Sequence, residues 1–363
     1  MKQRIDEAAE LAWVQLWFLE PESARLKWEK LTRELRGNLL MAEHARAVEW
    51  WSGTELETRL PETSEDAAAL NSLGVELWWA TQGSIDANLR RAIECYQAAI
   101  LVRTEASFPQ DWAATQNNLG LAWWKLPTGD RAANLAQAIA CYEAALRVRT
   151  ESDYPQDWAA TQNNLGLAWW SVPTGDRAVN LSRAIACYDA ALRVYTEAGF
   201  PRDWAATRNN LGLVWSNLPT GDRAANLAQA IVCYEDALRV RTEADFPQEW
   251  AATLNNLGVT WSNLPTRDRG ATLTKAISCH EAALRVYKAD VSLDWARTQS
   301  SLGNAWSHLP TGDRAVNLLN AISCYQAALR VYTNAQFAVE HQMGAALGTE
   351  TTSAVTTERS QSR

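Results

Sequence analysis

Histidine is scarce in this chain, with four residues in 363 (His44, His280, His308 and His341) and no HExxH spacing among them. Cys-x-x-Cys pairs are also missing, so neither a zinc site nor a histidine-based catalytic dyad is written in the sequence. The glycine-rich phosphate loops and the Gly-x-Ser-x-Gly elbow are absent too, which leaves an enzyme, a cofactor or a resident metal without a motif to support it. Positive charge is in deficit. Against 42 Asp and Glu stand 34 Lys and Arg, a net charge of -8, which argues against capture of nucleic acid or an anionic membrane. No apolar run approaches the roughly 18 residues of a membrane span. The short apolar stretch from Leu11 to Leu19 follows Asp6, Glu7 and Glu10, which interrupt a signal-peptide pattern, so the expectation is a cytoplasmic protein. Phenylalanine is rare as well, at 5 residues, yet tryptophan numbers 19, and that surplus calls for an explanation.

What the chain does have is period. Leu-Gly recurs at Leu73-Gly74, Leu119-Gly120, Leu165-Gly166, Leu211-Gly212, Leu257-Gly258 and Leu302-Gly303, spaced by 46 residues four times and then by 45. The unit is clearest from Trp112 to Asp157 and reads as two helices. The first is expected to begin near Pro109-Gln110-Asp111, since proline suits a first helical turn, and to end before Pro127, which cannot continue one. Thr128-Gly129-Asp130 then turns the chain. The second helix is expected to start at Asn134 as N-cap, with Gln137 at capping-box spacing, and Arg147 and Arg149 suit its negative end. Ala138, Tyr142 and Ala145 share one face of this helix, where small residues let a neighbour approach, and Leu119, Gly120 and Trp123 form the complementary face of the first.

These residues resemble the signature of the tetratricopeptide repeat family, in which Leu-Gly-x-x-Tyr on one helix is followed by Ala-x-x-x-Phe/Tyr-x-x-Ala on the next. The resemblance covers roughly Asp66 to Thr333. It departs from the family in two ways: Trp123, Trp169, Trp215, Trp261 and Trp306 stand for the usual tyrosine, and the unit is about 12 residues longer than the family norm. The enlarged unit is similar to repeats of bacterial, especially cyanobacterial, multidomain proteins that carry a caspase-like protease or a signalling nucleotidase, although no such effector is visible here. The fold implied is all-α, a right-handed solenoid of stacked helix-turn-helix units.

Domain organisation follows the period. Residues 1–65 read as a helical N-terminal cap or degenerate unit, because a solenoid needs an atypical end over its exposed core. Six units follow at about 66–111, 112–157, 158–203, 204–249, 250–294 and 295–333. Residues 334–347 suggest a C-terminal capping helix, and the polar stretch 348–363 is expected to be disordered.

Two recurring features look chemical but have plainer readings. Cys95, Cys141, Cys187, Cys233, Cys279 and Cys324 each occupy the same point of a second helix. Equivalent positions are separated by a whole intervening helix, too far for disulfides, so they are expected to be small apolar packing residues. Asp130-Arg131 and its equivalents Asp176-Arg177, Asp222-Arg223, Asp268-Arg269 and Asp313-Arg314 read as turn chemistry, with Asp capping and Arg pairing with a neighbouring unit.

The candidate binding residues lie on the first helices. Asn117-Asn118, Asn163-Asn164, Asn209-Asn210 and Asn255-Asn256, with Asn71 in the first unit, sit mid-helix, where Asn is a poor former. The family resemblance implies that such positions line a concave groove in which amides hold the main chain of an extended peptide. Hydrogen bonding between helices, or copying by recent duplication, are the alternatives. Trp78, Trp124 and Trp170 occupy one register position, taken by Ser216, Ser262 and Ser307 in the last three units, so the groove is expected to pass from aromatic to polar. Trp112, Trp158, Trp204, Trp250 and Trp295 open the first helices and are expected to seal joins between units. The function expected is a protein- or peptide-binding scaffold and not an enzyme, binding no cofactor, metal, nucleic acid or membrane. The alternatives are a regulatory subunit restraining a protease or nuclease in a bacterial signalling or defence system, and a self-assembling structural module.

Overall fold

The computed structural model describes residues 63–80, 84–287 and 292–333. The expected N-terminal cap, the capping helix at 334–347 and the polar tail therefore lie outside the described residues, apart from the last few residues of the first segment. Among the described residues there are twelve helices and no strand, so the fold class is all-α: a solenoid-like array of helix hairpins. In chain order they are α1 Ser64–Trp79, α2 Ile85–Val102, α3 Pro109–Lys125, α4 Arg131–Leu146, α5 Pro155–Ser171, α6 Arg177–Val194, α7 Pro201–Asn217, α8 Arg223–Val240, α9 Pro247–Asn263, α10 Arg269–Leu284, α11 Leu293–His308 and α12, residues 314–333. The chain divides into two compact units, Met1–Val214 and Trp215–Arg363. In the first, α1 pairs with α2, α3 with α4 and α5 with α6, and α3 also packs on α2 and α5 on α4. In the second, α8 packs on α9, α9 on α10 and α10 on α11.

Most hairpins are shaped by the same few residues. Proline opens the first helix at Pro109, Pro155 and Pro247, where its missing N–H costs nothing. The connecting turn needs a left-handed residue, and Gly129 supplies it at φ 82°. Asp130 then caps α4 by accepting the Ala132 N–H at 2.9 Å. The expectation of an Asn134 cap is thus corrected, because Asp130 four residues earlier already satisfies the helix start. Asn134 is buried, and its side-chain N–H donates to the Thr128 carbonyl at 2.8 Å, closing the turn from inside. Asn180, Asn226 and Asn317 do the same to Thr174, Thr220 and Thr311 at 2.9, 2.7 and 2.8 Å. The expected pairing of the turn arginines between units is corrected as well. Arg131 and Arg177 donate to the Trp124 and Trp170 carbonyls of their own units, and Arg223 and Arg314 to the Ser216 and Ser307 carbonyls at 2.6 and 2.5 Å. A helix end leaves carbonyls without intrahelical partners, and a guanidinium seven residues on is well placed to take one.

Within a hairpin the contact is close. A Cβ placed on Gly120 would stand 2.7 Å from Tyr142 Cε1, and one on Gly166 would stand 2.9 Å from Tyr188 Cε1. The Leu-Gly glycine is the space into which the tyrosine ring fits. Tyr142 has no exposed surface, enclosed with Ala138, Ile139, Leu165 and Ala168. The cysteines belong to this packing: Cys95, Cys141, Cys187 and Cys233 are buried, and burial pushes the Cys95, Cys141 and Cys187 thiols up to about 12, which leaves them inert at neutral pH.

The joins between successive hairpins carry most of the buried charge. Trp112 packs against Ala144 and Ala145 of its own second helix and against Ile100 of the preceding one, so it does seal a join. Arg147 stacks over the Trp112 ring at 5.2 Å and bonds both oxygens of Glu105, at 3.1 and 2.7 Å. Arg193, Trp158 and Glu151 repeat the arrangement, as do Arg285, Trp250 and Glu243. Beside this exposed clamp lies a buried one. Arg149 donates to Thr161 at 3.0 Å and lies 3.6 Å from Asp157, and Arg103 sits 3.5 Å from Asp111.

At the next join Tyr195 takes the place of that arginine. Its carboxylate, Asp203, keeps one oxygen buried without a hydrogen-bond partner, and burial lifts the acid to about 6. A Tyr195→Arg variant is expected to return Asp203 to the ordinary carboxylate range, a fall of about 1–3 pH units for a carboxylate given a cation. A carboxyl ¹³C titration by NMR measures it, and an unmoved midpoint would refute the assignment.

Candidate functional site

The asparagine positions resolve into two kinds. In two pairs the first residue turns inward: Asn117 is 6% exposed and Asn163 8%. Both act as acceptors between first helices. Asn164 donates to Asn117 Oδ1 at 3.1 Å, Asn118 donates to Asn71 Oδ1 at 3.3 Å, and Thr207 donates to Asn163 Oδ1 at 3.2 Å. The sequence reading placed both asparagines at a groove; the structure buries the first and leaves Asn118 and Asn164 half-buried. Mid-helix asparagine is thereby accounted for, since amide bonds from one first helix to the next offset its poor helix propensity. Asn209 and Asn210 are half-buried and lie 3.5 Å apart through their amides. In the second unit Asn255 and Asn256 are also half-buried, and Asn255 Oδ1 faces His280 Nδ1 at 3.1 Å.

Trp78, Trp124 and Trp170 are half-buried, each with a cation over its ring. Lys125 lies 4.0 Å from the Trp78 centroid, Arg131 6.0 Å from Trp124 and Arg177 5.9 Å from Trp170. Partial desolvation lowers the Lys125 ammonium below its usual value. Trp124 donates its indole N–H to Ser171 of the next first helix at 3.1 Å and packs against the cluster around Leu121 and Leu165, while Trp78 packs against that around Val75 and Leu119. One side of each of these two indoles is core, and the remainder is accessible.

Two of the serines that replace these tryptophans face inward, while Ser307 bonds the Asn304 carbonyl of its own helix at 2.9 Å on an exposed side. Ser216 hydrogen-bonds the buried Tyr234 hydroxyl, and the Ser262 hydroxyl oxygen is itself buried. A small residue at this position lets the hydroxyl face the second helix, where an indole has to stay at the edge. Sequence reasoning missed three further groups, namely Arg149, Asp203 and His280. Their signal was available as breaks in the repeat, because arginine alternates with tyrosine across 149, 195, 241 and 287, and histidine interrupts the tyrosine series at 280.

Among the described residues no three His, Cys, Asp or Glu side chains converge as metal ligands, and no helix is long and apolar enough to cross a membrane. What the fold and its surfaces define is a class: an all-α repeat protein of the kind generally suited to binding or scaffolding other proteins. No protein-family model matches the chain, and no curated protein does. Among solved structures it is similar to that of BtubC (BKLC) from P. vanneervenii, at 17% identity over 75% of this chain and 91% of that chain, with a TM-score of 0.39.

Proposed function

We propose that the chain is a tetratricopeptide-type scaffold that binds an extended protein or peptide segment and catalyses no reaction. The observation that supports this reading most is the surface of successive first helices in the unit ending at Val214. There, half-buried indoles at Trp78, Trp124 and Trp170 recur in one register, beside the half-buried amides of Asn118 and Asn164. An amide has two N–H donors and an oxygen with two lone pairs. Asn118 and Asn164 each use one donor on the neighbouring helix, which fixes the side chain and leaves further capacity for a peptide unit. The indoles offer flat apolar area to a partner's side chains, as tryptophan does at many interfaces. Asn117 and Asn163, already enclosed, set the positions of the amides beside them.

A peptide library displayed on phage and panned against the chain supplies the ligand for a test. The double variant Asn118→Ala, Asn164→Ala is expected to bind a selected peptide about tenfold or more weakly, at about 1 kcal/mol per lost hydrogen bond. Its melting temperature should fall, since the buried Asn117 Oδ1 loses its donor, so affinities are compared where both proteins remain folded. Peptides whose affinity is indifferent to that variant and to Trp124→Ala would overturn the reading.

A second reading, a self-associating module, is favoured by one observation. Helix α12 exposes Leu319 at 65%, Leu329 at 63% and Ile322 at 50%. Light scattering that shows growth with concentration, abolished by Leu329→Glu, would favour it over the first.

A further inference from the structure

Four hairpins place a tyrosine against the glycine of the Leu-Gly pair, at Tyr96, Tyr142, Tyr188 and Tyr325; the hairpin of α9 and α10 places His280 there. The imidazole sits in the slot the phenol rings use. A Cβ on Gly258 would meet His280 Cε1 at 2.7 Å and Nε2 at 2.9 Å, just as one on Gly120 would meet Tyr142 Cε1 at 2.7 Å and Cζ at 3.0 Å. The far edge of the histidine therefore stops about where the tyrosine ring still has its hydroxyl to come. In the preceding hairpin that hydroxyl is used, since Tyr234 is hydrogen-bonded by Ser216 and Thr260. Ser262 stands in the register of Ser216, and Ala305 in that of Thr260.

Two polar atoms are thereby left in an apolar setting. His280 has no exposed surface, and its Nε2 and the Ser262 Oγ are both buried without a hydrogen-bond partner. The Asn255 Oδ1 at 3.1 Å from Nδ1 accepts a hydrogen bond, so Nδ1 carries the proton and Nε2 presents a lone pair. Tyr142 provides the contrast. Its hydroxyl is also buried without a partner, but its register neighbours are Trp124 and Ala168, neither of which carries a hydroxyl. By register, the His280 acceptor and the Ser262 hydroxyl correspond to the positions where the Tyr234 hydroxyl meets Ser216 one hairpin earlier. The volume by which a phenol exceeds an imidazole is close to one water's share of the liquid, about 30 Å³, and buried waters make two to four hydrogen bonds.

We infer that the hairpin of α9 and α10 holds a single structural water that donates to His280 Nε2 and bonds Ser262 Oγ, taking the part of the missing tyrosine hydroxyl. The water satisfies two groups that the Tyr-to-His exchange leaves stranded and fixes the imidazole in the Nδ1–H form. His280→Tyr should expel it, because the ring then reaches Ser262 by itself.

The full chain, labelled with ¹⁵N histidine, provides the test by NMR. A long-lived water cross-peak to His280 Hε1, together with the Nδ1–H tautomer, is the expected result. In His280→Tyr the water signal should vanish and the melting temperature rise by about 2–4 °C. In Ser262→Ala the cross-peak should weaken or disappear. Absence of any long-lived water at His280 in the native chain, or an Nε2–H tautomer bonded directly to Ser262, overturns the inference. Because that measurement is made on the unaltered protein, it decides the matter even where a variant fails to fold.

Discussion

Gly120→Val is expected to destabilise the first unit by about 3 kcal/mol, at the upper end of the usual cost of overpacking a core. The added Cβ alone falls 2.7 Å from Tyr142 Cε1, and the valine methyl groups would reach further into a ring with no exposed surface to retreat to. The neighbours that would have to yield are Ala138, Leu165 and Ala168, two of which are too small to trim. Helix propensity pulls the other way, since glycine is about 1 kcal/mol worse than alanine in a helix interior, but that gain is smaller than the clash. The melting temperature should fall by about 6–12 °C for a unit of this size. Rescue gives the sharper check: Tyr142→Ala added to Gly120→Val should recover part of the loss, whereas additive losses would mean that the ring and the glycine are not coupled.

Acid titration should expose His280 as a second large effect. Burial lowers the imidazole from 6.5 to about 4, so the folded state holds fewer protons than the unfolded chain between those values. Stability supplied by the neutral histidine is complete above pH 6.5 and is lost as pH falls toward 4, by about 3 kcal/mol in all. Asp203 acts in the opposite sense. Its pKa is raised to about 6, so its contribution is complete below the ordinary carboxylate value and is lost as pH rises through 6. The surface glutamates Glu105, Glu151 and Glu243, held below their usual value by Arg147, Arg193 and Arg285, add a loss at the acid end of this range and below it. Denaturant melts of native and His280→Tyr protein at several pH values isolate the histidine, because the other groups are common to both. A native-minus-variant difference that does not change between pH 7 and pH 4.5 would contradict it.

Much of this architecture was legible in the sequence because its determinants are local. Pro109 and Pro127 bracket α3, Gly129 and Asp130 make the turn, and Leu119-Gly120 marks the contact face; each acts through its own backbone or its nearest neighbours. The errors came where two candidates competed for one job or where the partner was distant. Asn134 and Asp130 are both good caps, and only the path of the turn decides which is used. Arg131 could reach its own helix end or the next unit, and side-chain length alone does not choose. The two asparagines of each pair look alike in sequence, yet one residue of helix rotation separates the enclosed Asn117 from the half-buried Asn118. The tryptophan surplus proved to have several causes. Trp112 and Trp158 are joints with an arginine above them, while Trp78 and Trp124 are edges, half core and half surface.

The alternation of Arg149, Tyr195, Arg241 and Tyr287 makes the seams of the array unequal in kind. Seams that close on a guanidinium, as Arg149 does on Thr161 and Arg241 on Thr253 at 3.0 and 2.9 Å, are held by directed bonds around an enclosed charge. Those that close on a phenol rely on packing, and at the Tyr195 seam one Asp203 oxygen is left buried without a hydrogen-bond partner. Local opening follows the weaker links, so amide exchange in alkaline buffer should be faster beside Tyr195 than beside Arg149. Near-identical modules would then come apart in an order set by one side chain per junction.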